Sequence, residues 1–144
     1  MYGYSLRAVM AGLVLATLML VACDPRPAAD PEAALRERVE ARWQALLQRD
    51  YATAYEHYVS PTYRAVFTQR HFYRYYGEQL QRDRVEVVRI DFIDETKSAA
   101  KVRIKIHFTT EVGSELLQLS GGDKEHWTRI DGQWYLVPES SGAL

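Results

Sequence analysis

From Lys101 to Val112 the chain alternates: in KVRIKIHFTTEV, Val102, Ile104, Ile106, Phe108 and Val112 share one parity, and Lys101, Arg103, Lys105, His107, Thr109 and Glu111 share the other. A period of two is what a strand with one dry face and one wet face requires, whereas a helical stripe recurs every three or four residues. A half-buried antiparallel strand needs partners, and the flanking sequence offers them. RVEVVRIDFID, residues 84–94, is strand-like but changes phase near Val87 and Val88, as a bulge would make it do. SELLQLS reads as a third strand. EHWTRI and QWYLVP form a last pair joined by Asp131-Gly132, a two-residue hairpin signal. In that register Arg129 faces Trp134, and Trp127 faces Leu136.

Upstream the period is helical. Asp30-Pro31-Glu32 combines an N-cap acid, a first-turn proline and an early glutamate at the positive end of the dipole. Leu35, Val39, Trp43, Leu46 and Leu47 then recur at spacings of three and four. Asp50 opens a second, shorter helix with Tyr51, Tyr55, Tyr58 and Val59 on one face. Ser60-Pro61 ends it and caps a further turn through Phe67. Thr68 caps QRHFYRYY, which Gly77 stops. Two or three helices followed by four or five antiparallel strands make an α+β domain, with the helices packed on one side of a curved sheet.

A chain of 144 residues suits one domain, and a net charge of −1 gives no electrostatic footprint for nucleic acid. None of His57, His71, His107 and His126 has helical metal-ligand spacing to another His or to a Glu. His107 and Glu111 share a strand face but stand roughly 13 Å apart, too far for one ion. No nucleophile elbow or phosphate loop occurs, so no metal, cofactor or catalytic residue is assigned.

Cys23 is the one cysteine, which excludes an internal disulfide. It follows a run without charge from Ala8 to Ala22, short for a membrane span but right for the core of a secretory signal. With Arg7 before the run and Leu20-Val21-Ala22-Cys23 at its end, the segment resembles the lipobox of bacterial lipoproteins. That resemblance implies a signal peptide over 1–22 and acyl chains on Cys23, anchoring the chain at the bacterial envelope. Asp24 resembles the enterobacterial signal for retention, favouring the periplasmic face of the inner membrane over the outer membrane. Residues 23–30, with Pro25 and Pro27, form a short stiff tether. The domain runs over 31–138, and 139–144 is a tail.

RWQALLQRDYATAYEHYVSPTYR and the closing EHWTRIDGQWYLVP resemble the nuclear transport factor 2-like superfamily, with a cystatin-like arrangement as the nearest competitor. The resemblance implies a cone: a highly curved sheet wrapped around a long first helix, with a cavity between helices and sheet. Members use that cavity for catalysis, ligand binding or docking, and fold alone does not choose. Ten tyrosines, seven of them between Tyr51 and Tyr76, read either as core or as the walls of an amphipathic pocket. On the second reading the lining is Trp43, Tyr55, Tyr58, Phe72, Tyr76, Trp127 and Trp134, around a small apolar ligand. Asp91 and Asp94 border either a pocket or the exit loop of the first strand.

The basic row Lys101, Arg103, Lys105 and His107 is either a solvated face or a contact for anionic headgroups or an acidic partner. Dimerisation through the sheet, as in many superfamily members, would place that row at an interface. The expected function is therefore a membrane-anchored, non-catalytic docking or small-ligand-binding module facing the periplasm. The competing expectation is a small acid–base enzyme of isomerase or cyclase type, using Tyr55, Tyr58 or Asp91.

Overall fold

The computed structural model describes residues 30–77 and 82–139. The signal peptide, Cys23, Asp24, the tether as far as residue 29 and the tail after Glu139 lie outside the described residues. The order is α1 (Pro31–Leu47), α2 (Tyr51–Tyr58), α3 (Pro61–Val66), α4 (Gln69–Gly77), β1 (Arg82–Phe92), β2 (Ala99–Val112), β3 (Glu115–Ile130) and β4 (Gln133–Val137). The strands form one antiparallel sheet in the order β1-β2-β3-β4, with helices packed against it. The fold is α+β.

Each helix start is chemically marked. The Asp30 carboxylate accepts from Glu32 N, that of Asp50 from Thr53 N, the Ser60 hydroxyl from Tyr63 N and the Thr68 hydroxyl from His71 N. A side-chain oxygen at each point satisfies an N–H that the helix itself leaves unpaired. The turn expected after Ser60-Pro61 is a helix in its own right, α3.

Strand boundaries differ from the sequence reading at several points, with β1 beginning at Arg82 and β2 at Ala99, each two residues earlier than expected. SELLQLS and EHWTRI belong to one strand, because β3 runs unbroken through Gly121-Gly122. Glycine weakens a strand through its freedom and its missing side chain. Here β2 pairs with β3 continuously, from Ala99 opposite Thr128 to Val112 opposite Glu115, and holds the glycines in the ladder. β1 ends at Phe92 rather than at residue 94, because Asp94 turns back on the chain. The bulge falls where the phase change places it, with the register shifting between Val87 and Arg89. The last hairpin has Arg129 opposite Trp134 and Trp127 opposite Leu136, and both turn residues, Asp131 and Gly132, have positive φ, as a type I′ turn requires.

The core lies between α1 and the sheet. Leu35, Val39, Trp43 and Leu46 meet Ala100, Val102 and Ile104 of β2, with Trp127, Trp134 and Leu136 completing the strand side. Ala54 and Phe72 bring in α2 and α4. The link after α2 is fixed to the edge of the sheet, where Ser60 N donates to Leu136 O at 2.8 Å. Arg36 Nη1 donates to Val87 O at 3.1 Å, which sets the early turns of α1 beside the opposite edge strand.

The β1–β2 turn is organised by Asp94. Its carboxylate accepts from the Ser98 hydroxyl, the Thr96 hydroxyl and the backbone N–H groups of Ser98 and Ala99. The Ser98 hydroxyl first, then Thr96, then the Ala99 N–H hold its pKa far below the usual carboxylate range. A depressed folded-state pKa gives stabilisation that is present above the ordinary value of about 4 and is lost as the pH falls. An Asp94→Ala variant is therefore expected to unfold at lower urea than the parent at pH 7, with the gap narrowing steadily below about pH 4. A gap that stays constant down to the acid limit would contradict this account of the turn.

Candidate functional site

Glu125 lies on the helix-facing side of β3, in the same parity as Trp127, and exposes 6 % of its surface. Its Oε1 accepts from Arg42 Nη1 at 2.7 Å and from Trp43 Nε1 at 2.9 Å. Its Oε2 accepts from Trp127 Nε1 at 2.9 Å. Arg42 is fully buried. The Arg42 Nε and Nη2 atoms have no hydrogen-bond partner among the described residues. The guanidinium instead lies against the rings of Trp43 and Tyr76, with centroids 5.1 and 4.9 Å from Cζ, where cation–π attraction compensates it in part. Arg82 flanks the same indole at 5.5 Å, and burial first, then the charge of Arg42, holds its pKa below the usual arginine value.

A catalytic carboxylate needs a lone pair open to a substrate proton. Both oxygens of Glu125 are engaged, and a cation sits against one of them. The arrangement holds α1 to β3.

The seven residues expected to line a pocket fall into two groups. Trp43, Phe72, Trp127 and Trp134 are buried in the core. Tyr55, Tyr58 and Tyr76 are half-buried. The Tyr55 hydroxyl donates to Phe67 O at 2.7 Å and ties α2 to the segment before α4. Tyr58 lies under the Arg38 guanidinium, 4.2 Å from Cζ to ring centre, while Arg38 donates to the carbonyls of Trp134 and His57. The Tyr76 ring lies against that of Phe72, centroids 4.6 Å apart and planes tilted by 38°. Asp91 is on the far side of the sheet, paired with Arg89 and Arg103, and Asp94 is the turn residue described above. Neither borders the interior. Among the described residues, no group of three or more His, Cys, Asp or Glu side chains is placed to hold a metal ion.

Arg42 and Glu125 were not singled out by the sequence reading, although a signal existed. Arg42 falls on the stripe of Leu35, Val39 and Leu46, and Glu125 shares a strand face with Trp127. A charge on each of two apolar faces that must pack together implies a buried pair.

The outer face of the sheet is different. A groove of about 760 Å³ crosses it, lined in part by Val88, Arg103, Lys105, Gly122, Lys124 and Glu139. A smaller one of about 460 Å³ lies between α2 and α4, around Arg49, Asp50, Tyr51 and Arg70. Apart from Tyr51, a core neighbour, the lining of neither draws on the aromatic core, and none of the seven expected residues takes part. The far half of the β2–β3 hairpin exposes Val112, Leu116, Leu117 and Leu119.

No family model and no curated protein matches the chain. Among solved structures it is similar to the solution structure of a SEC-C motif-containing protein from Rhodopseudomonas palustris, at a TM-score of 0.56 and 18 % identity, covering 74 % of this chain and 77 % of that one. The likeness is one of fold. No helix among the described residues is long and apolar enough to cross a membrane.

The buried pair gives a direct test. Arg42→Met strands the Glu125 charge and is expected to cost about 3–5 kcal/mol in chemical denaturation at neutral pH. Adding Glu125→Gln, which is neutral and keeps one of the two acceptor oxygens that the indoles use, is expected to return part of that loss. A double variant no more stable than Arg42→Met would show that the charge of Glu125 is not what the arginine compensates.

Proposed function

We propose that the chain is a lipid-anchored protein of the bacterial envelope whose domain, a nuclear transport factor 2-like cone, serves as a non-catalytic docking module facing the periplasm. The observation that carries the non-catalytic part is the closure of Glu125 by Arg42, Trp43 and Trp127. An acid–base enzyme of this architecture would keep a carboxylate open in the interior. Here Trp43, Phe72, Trp127 and Trp134 fill the same region. The cone reading is supported by the order of elements, helices first and then an antiparallel meander.

The anchor reading rests on Leu20-Val21-Ala22-Cys23 after its uncharged run, with Asp24 favouring the inner membrane. Two or three acyl chains make a stable anchor where one does not. The docking reading draws on the outer face, which offers a groove, charged side chains and, along the hairpin, exposed apolar ones.

The test is mass spectrometry of the mature N-terminus from a bacterial membrane fraction. The expected result is a chain beginning at an acylated Cys23, with Cys23→Ala abolishing both the modification and the cleavage. A chain retaining residues 1–22, with an unmodified thiol at Cys23, would overturn the anchor.

A further inference from the structure

We propose that the groove on the outer face of the sheet is a seat for anionic phospholipid headgroups, so that the domain lies against the bilayer that holds its anchor. This rests on the lipid-anchor reading and adds to it a second, electrostatic contact made by the folded domain.

The register carries the argument. Arg89 of β1 lies directly opposite Arg103 of β2, and Arg103 directly opposite Lys124 of β3. Three cations thus stand side by side across neighbouring strands, roughly 5 Å apart along the hydrogen-bonding direction. Like charges directly opposite one another destabilise a sheet. Asp91 relieves part of the repulsion, at 2.5 Å from Arg89 and 3.4 Å from Arg103. Glu86 is occupied by Arg84 and His107, and Glu139 by His126. Lys101, Lys105 and Lys124 make no ion pair with any described residue. Gly122 removes a side chain from the floor of the groove, and the bulge at Val88 sets an exposed apolar residue at its rim. Asp123 and Glu139 also line the groove, and a cation row compensated only in part, beside an apolar edge, suits phosphate headgroups at a membrane surface.

The tether makes that surface the favoured occupant over an acidic protein. Asp30 stands seven positions after Cys23, a reach of at most about 25 Å. The helix they lead into is fixed by Arg36 to Val87, the neighbour of Val88 at the rim. Attraction to a charged surface is screened within about 8 Å at physiological salt, and a leash of this length lets the domain come within that range. The short leash also raises the effective concentration of headgroups at the groove.

The chain's lysines make a footprint readable, since Lys101, Lys105 and Lys124 lie on this face and the one other, Lys97, lies in the β1–β2 turn. The full lipidated chain is mixed with vesicles of pure phosphatidylcholine, or of phosphatidylcholine with phosphatidylglycerol, floated, and acylated with an amine reagent. Flotation with both and an about five-fold fall in labelling of Lys105 and Lys124 relative to Lys97, only with phosphatidylglycerol, is the expected result. Flotation with both but equal labelling overturns the groove and leaves the anchor standing. Flotation and protection with phosphatidylglycerol alone keeps the groove and overturns the anchor. No flotation with either overturns both. Protection already present without vesicles assigns the face to a second copy of the chain and overturns the headgroup seat.

Discussion

A carboxylate withdrawn from water has to be met by donors, and Glu125 is met by a guanidinium and two indoles. Those donors come from α1 and from β3 itself, so the contact decides how the long helix lies on the sheet. Trp43 donates its N–H to the carboxylate and gives its ring to the core. Trp127 does the same from the strand. The apolar packing around them, from Leu35 to Leu136, gives bulk stabilisation without direction, and the buried pair gives it direction. Removing one charge from such a pair costs far more than the pair contributes over a hydrophobic replacement.

The two faces of the sheet therefore carry different chemistry on the same strands. Val102 and Ile104 of β2 point into the core, while Lys101, Arg103 and Lys105, which alternate with them, remain exposed. The inner face carries buried aromatic rings and a paired charge. The outer face keeps a groove, a row of cations and a bulge. The docking proposal places the contact with other molecules on that outer surface.

Much of the fold was legible because its signals are local. Asp30, Asp50, Ser60 and Thr68 sit at the helix starts, and a capping oxygen works within three residues of itself. The alternation of β2, the bulge and the Asp131-Gly132 turn are local too. Gly121-Gly122 misled because a ladder with β2 fixes it from far along the chain, and single-residue tendencies do not contain that pairing. The seven aromatic residues proposed as pocket walls were recognised as interior or near-interior, but their type alone did not separate a wall from a packed core. The partner of Arg42 was the hardest to see, since Glu125 lies 83 residues away and the contact exists only once helix and sheet have docked.

The central claim is that the helix–sheet interior is closed, with its carboxylate held by Trp43 and Trp127 as well as by Arg42. Exchange of the tryptophan indole N–H groups with deuterated solvent, followed by nuclear magnetic resonance on the folded chain, tests this most directly. The account predicts that the Trp43 and Trp127 indole protons exchange only as fast as the whole domain unfolds, and that both resonances move in Glu125→Gln. Exchange of either proton within the first spectrum, under conditions where the core backbone amides of β2 stay protected, would mean an interior open to water. It would return the cavity to consideration as a working site.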